Sequence, residues 1–181
     1  MILRRFQSRP DDHTIRDLYG MIVAQARAVA FYAGYGVPDT VQGRFDLIVL
    51  HLVLLLDRLG RNDGAARGFG QKLFDEFCRD LEDNLREMGV GDLAVPKEMR
   101  RFAEAFYGRQ AAYLAALTAA DERELEKALT RNIFQGAEID PGAVRLARYA
   151  RAALRQFEAQ DERALLRGDV VFPQPEAIAH G

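Results

Sequence analysis

The sequence predicts an all-α protein: a single-domain bundle of about six helices around one buried central helix. Three observations carry that prediction. Leu47 to Leu56 is apolar all round except for His51, and a helix without a wet face must be enclosed by protein. The segments on either side of it each carry one apolar stripe at helical spacing. No stretch alternates strongly enough over five or more residues to require a strand. The full run RFDLIVLHLVLLLDRLG (44–60) is too short to cross a bilayer, which needs about 20 apolar residues. It reads instead as the centre of the bundle, about 25 Å long at 1.5 Å per residue.

Residues 1–12 are polar and basic, an expected flexible N-terminus in which Pro10-Asp11-Asp12 acts as a breaker. Thr14 with Asp17 three residues on resembles a capping box. Ile15, Leu18, Tyr19, Ile22, Ala26, Val29 and Ala33 then predict a first helix reaching Phe31 or Tyr35. Residues 34–43, with three Gly, Pro38 and Asp39-Thr40, read as a loop. After the central helix comes a break at 60–64, where Asp63 is placed to cap the next helix. That third helix, about 65–88, buries Phe69, Leu73, Phe77, Leu81, Leu85 and Met88. A fourth opens at Pro96 and buries Met99, Phe102, Phe106, Tyr113 and Leu117. Asp121 and Glu124 start a short fifth helix ending at Phe134, and Asp140-Pro141 starts a sixth over about 141–167. The expected organisation is therefore a helical domain over 13–167 and an extended tail over 168–181, lying across the bundle.

Composition narrows the function. With 181 residues, 49% hydrophobic and 29% charged, the chain is globular and long enough to bury a core without metal or disulfide. A net charge of −2 argues against a dedicated nucleic-acid binder but leaves local basic faces open. The single Cys78 excludes an internal disulfide and a Cys-based zinc cluster, and reads as a small buried hydrophobe. The start MILRRFQSRPDD has no apolar core of the secretory kind, so the expected location is the cytoplasm. Engagement of lipid would place the protein peripherally at the inner membrane.

Catalytic and metal signatures are missing from the sequence. His13, His51 and His180 are scattered, with no HExxH or paired ExxH spacing to put ligands on one face. There is no GxSxG elbow, and Gly68-Phe69-Gly70 follows no strand, so it is no phosphate loop. The sequence predicts neither an enzyme nor a cofactor.

Three features remain as candidate binding surfaces. Arg44, His51 and Arg58 are seven residues apart and drift only about 20° per step, so they form a polar edge on the central helix. Either they satisfy loop carbonyls and carboxylates such as Asp80, or they floor a groove for another protein. Arg145, Arg148, Arg151 and Arg155 fall within about 120° of one another on the sixth helix. This basic face is either solvated or suited to phosphate, acidic lipid or an acidic partner. Phe31, Tyr32 and Tyr35 are either core or an exposed contact patch. A haem-binding alternative would use His51 as ligand.

These stretches resemble the ubiquinol–cytochrome c chaperones, assembly factors of the cytochrome bc complex. The resemblance runs through RFDLIVLHLVLLLDRLG (44–60), GQKLFDEFCRDLEDNLREMGVGD (70–92), PKEMRRFAEAFYGRQAAYLAAL (96–117) and LEKALTRNIF (125–134). Its signature is Phe45, His51, Arg58 and Leu59, followed by Gln71, Leu73, Phe77 and Asp80. The resemblance implies a non-catalytic helical chaperone of the respiratory chain. Its client would be newly made cytochrome b or an assembly intermediate, and the signature positions His51, Arg58, Gln71 and Asp80 become candidate client contacts. Mitochondrial relatives work with a small helical partner near the ribosome. This chain lacks their targeting extension and looks like a bacterial homologue, so the ribosome, a membrane surface and the small partner stay open.

Overall fold

The structure, a computed structural model, describes residues 12–61 and 64–179. The architecture is all-helical: α1 (Asp12–Ala26), α2 (Val29–Ala33), α3 (Val41–Gly60), α4 (Ala65–Glu87), α5 (Val95–Thr118), α6 (Arg123–Leu129), α7 (Pro141–Ala159), α8 (Glu162–Leu166) and α9 (Pro175–Ala179). A π-helical turn, Thr130–Phe134, follows α6. No strand occurs among the described residues.

α3 is the axis. It packs against α1, α4, α5, α7 and the π turn, and Leu47, Val49, Leu50 and Leu52–Leu55 are fully buried. The helix begins three residues earlier than the sequence predicts. Thr40, in extended conformation, accepts the Gly43 N–H at 3.1 Å and caps it, so only 34–40 is loop. The amphipathic helices then lay one stripe each on this rod, because the rod offers apolar surface in every direction.

Two predicted helices are interrupted. The first ends at Ala26, since Ala28 turns to ψ 130° and α2 restarts at Val29. Tyr32 Oη donates to the Ala26 carbonyl at 2.9 Å, satisfying the end of α1, while Phe31 swings into the core. Thr14 lies inside α1 rather than capping it; Asp12, predicted as part of the breaker, is already the first residue of α1, while residues 1–11 and Asp63 lie outside the described residues. The sixth helix stops at Ala159. Gln160 turns to ψ 141°, and Asp161 caps α8 by accepting the Ala164 N–H at 3.1 Å. The cap at Asp140 forms as predicted, accepting the Gly142 N–H at 2.6 Å ahead of Pro141.

After Gly168, residues 169–174 run extended across the bundle, burying Val170 and Phe172, before the short α9. The fifth helix, predicted as one run to Phe134, changes form part-way. Past Leu129 the helix widens into the π turn and ends at Gln135, whose φ of 55° is left-handed.

Candidate functional site

The polar edge of α3 does not act as one surface. Arg44, at its start, is exposed and pairs with Asp39 at 2.8 Å. His51 is fully buried. Arg58, at the far end, lies 12% exposed and donates to the Phe157 and Gln160 carbonyls at 3.1 and 3.4 Å, with Glu162 at 3.8 Å. It thereby closes the carbonyl end of α7 with a cation, a favourable place for one. Asp80 is no partner of this edge; its carboxylate accepts from Tyr19 Oη at 2.7 Å.

The environment of His51 determines its tautomer. Nδ1 lies 2.7 Å from the Leu47 carbonyl, which can only accept, so Nδ1 carries the proton. Nε2 therefore accepts from Tyr149 Oη at 2.9 Å, and Tyr149 in turn accepts from Gln25 Nε2 at 3.0 Å. Burial pushes the imidazole down to about 4, so the ring is neutral at physiological pH. With both nitrogens engaged it offers no ligand to haem iron. Phe31 and Tyr35, also fully buried, pack round it and Tyr149 rather than forming a contact patch; Tyr32 is half-buried.

The basic face of α7 divides in two. Arg145 donates to the Tyr35 carbonyl at 3.4 Å and Arg151 to the Glu122 carbonyl at 3.0 Å. Arg148 and Arg155 remain exposed. Gln71, exposed, donates to Asp75 at 2.8 Å and borders a small cavity of about 170 Å³ with Phe74, Phe106 and Tyr107. Cys78 is half-buried, and burial with Asp75 and Glu82 nearby pushes its thiol up, away from reactivity.

What the fold does assemble is a groove among α1, α3, α4 and α5, enclosing about 330 Å³. Phe45, Ile48, Leu81 and Phe102 floor it, each half-buried, above the buried Phe77 and Leu85. Val41 and Met88 stand at its mouth, 84% and 69% exposed. Tyr19, Arg27, Gln42, Arg44, Asp80 and Asn84 contribute its polar groups. Of the predicted client residues, Arg44 and Asp80 meet here; Phe31, Tyr35, His51, Arg58 and Gln71 do not. Met88, predicted as core, is instead surface. Its place in the last position of the α4 stripe, beside Gly89-Val90-Gly91, is the signal that could have shown it.

Beneath the groove lies a buried ion pair that sequence reasoning missed. Asp46, one residue after Phe45, is fully buried and meets Arg109 from α5 at 2.8 Å and Gln42 Nε2 at 3.0 Å. The Arg109 guanidinium stands 6.0 Å from the Phe45 ring centre, within cation–π reach. Burial raises the Asp46 carboxyl above its ordinary value, while Arg109 and Gln42 pull the other way. Among the described residues no group of three or more His, Cys, Asp or Glu is placed to hold a metal.

Comparison with family models matches residues 33–172 to the ubiquinol–cytochrome c chaperones. The chain belongs to that family. Members are assembly chaperones of the cytochrome bc complex, and the signature residues of this one now have positions: Phe45 in the groove floor, His51 and Leu59 in the core, Arg58 at the end of α7. A solved structure, the crystal structure of the Cbp3 homolog from Brucella abortus, is 38% identical over 95% of each chain with a TM-score of 0.85. A search of curated proteins finds no match. Among the described residues no helix is long and apolar enough to cross a membrane.

Proposed function

We propose that this chaperone is non-catalytic and holds newly made cytochrome b, or an assembly intermediate of the cytochrome bc complex, in the groove between α3, α4 and α5. The observation that carries this reading is the half-buried apolar floor with Val41 and Met88 exposed at its mouth. Side chains of an apolar client helix, presented at i, i+3 and i+4, suit such a groove. Met88 supplies a flexible, polarisable lip that adapts to different side chains. The polar rim, with Arg27 and Arg44, keeps the patch soluble between clients.

The test is photo-crosslinking from Val41, Ile48, Leu81 and Met88 with cytochrome b co-expressed, alongside Met88→Asp. Crosslinks from these sites and none from Arg148 are expected. Because Met88 is exposed, Met88→Asp should leave thermal stability within about 0.5 kcal/mol of the parent and yet lower client capture. Equal crosslinking from all surfaces, or none, refutes the groove. Ribosomal RNA or an anionic membrane surface would instead use Arg148 and Arg155, and binding through them falls steeply with salt, which capture of an apolar helix does not.

A further inference from the structure

The extended segment after Gly168 is held in a manner that has nothing to do with the client groove. Three of its carbonyls, two residues apart, are each taken by a side chain of the bundle. Val171 O accepts from Gln156 Nε2 at 3.1 Å and Gln160 Nε2 at 3.0 Å; Pro173 O from Gln25 Nε2 at 3.0 Å; Pro175 O from Tyr35 Oη at 2.7 Å. The Val171 N–H donates back to Gln160 Oε1 at 2.8 Å. A two-residue period is that of one edge of an extended chain, so the cleft reads main chain. The one aromatic side chain it swallows is Phe172, packed edge-on against Phe157 at 5.4 Å and against His51 at 5.9 Å. Val171 and Gln174 point out and are exposed.

The walls are carried mainly by three long helices. Gln25 belongs to α1, Gln156 and Phe157 to α7, and His51 to α3, all within the packed core of helices. The segment itself makes no ladder with another strand, and it enters through Gly168, whose φ of 83° a glycine adopts at little cost. Pro173 and Pro175 pre-order it, which lowers the entropy lost on docking and is the usual means by which proline-containing peptides bind aromatic-lined grooves.

We infer that this cleft is a peptide-binding site for an extended, proline-containing segment with one aromatic residue, occupied at rest by residues 170–175. When the resident strap lifts, such a segment of another polypeptide takes its place. The cleft shares no lining residue with the groove, so the two sites are tested separately.

The probe is a fluorescent peptide of sequence VVFPQPEAIA, titrated into the full chain and into full-length Phe172→Ala. Weakening the resident strap raises the open fraction, and apparent affinity follows that fraction, so Phe172→Ala should bind at least tenfold tighter than the parent. Adding Tyr35→Phe, which removes the donor to the third carbonyl, should weaken that binding about three- to tenfold. Hydrogen exchange on the unmodified chain gives a readout that needs no variant: residues 169–179 should exchange well before α3. Equal affinity for parent and Phe172→Ala, no uptake by a folded Phe172→Ala, or a strap that exchanges only with α3 would overturn the inference. So would a dimer formed by strap exchange that takes up no peptide.

Discussion

Replacing Arg109 with Met strands a charge. Asp46 is fully buried, its Oδ1 bonded to Arg109 and Gln42 while Oδ2 has no partner within the protein. Met fills much of the space of the arginine stem but leaves the carboxylate with Gln42 alone. Breaking a buried pair from one side typically costs about 3–5 kcal/mol. With an unfolding entropy of about 2.1 cal/mol/K per residue, that is a fall in Tm of about 8–13 °C for 181 residues. The pH dependence gives the argument its sign. Asp46 in the folded chain already titrates above its ordinary value, so the native state holds the proton more tightly than the unfolded state. Its contribution to stability therefore falls as pH rises through the window above 3.8, and removing Arg109 raises the carboxyl further. The cost of Arg109→Met should be largest at pH 7 and shrink towards pH 5, read from urea unfolding at several pH values. Arg109→Met combined with Asp46→Leu should recover at least half of the loss, because an apolar pair needs no counter-charge. A cost that stays constant with pH, or a double variant no better than the single, would refute the account of a stranded charge.

His51 gives the opposite slope. Its folded value of about 4 lies below the ordinary 6.5, so stability is full above pH 6.5 and drains away as pH falls towards 4. Between pH 7 and pH 5 the residue should account for about 2 kcal/mol of lost stability, a loss that His51→Gln removes when denaturant curves at the two pH values are compared. Gly142→Ala should be severe for a local reason. A Cβ there would drive into the Tyr35 carbonyl and stand 2.7 and 2.8 Å from the Phe134 ring. A drop of about 3 kcal/mol or more is expected by calorimetry, whereas Gly108→Ala, with open space round it, should be neutral or stabilising.

The central helix could be found from sequence alone because burial on all sides leaves a local trace: ten residues with no wet face. The stripes of α4 and α5 and the cap at Asp140 are local in the same way, since a helix period or a cap is written within four residues. The family signature was equally visible. What sequence could not supply were partners at a distance. His51 and Tyr149 are 98 residues apart and Arg58 and Phe157 are 99 apart, and no period encodes such a meeting. The breaks at Ala28 and Gln160 belong here too. Periodicity runs straight through both, and what interrupts them is tertiary: Phe31 drawn into the core, Gln160 bonded to the main chain of Val171. The groove follows the same rule, because Met88 and Leu85 share one stripe and only the placement of α3 and α5 decides which of them stays in water. Sequence determined that residues 44–60 must be enclosed and which segments could enclose them. The tertiary structure decided how, turning the polar edge of α3 into three unrelated anchors and opening a groove where neighbouring helices fail to close over Phe45 and Ile48.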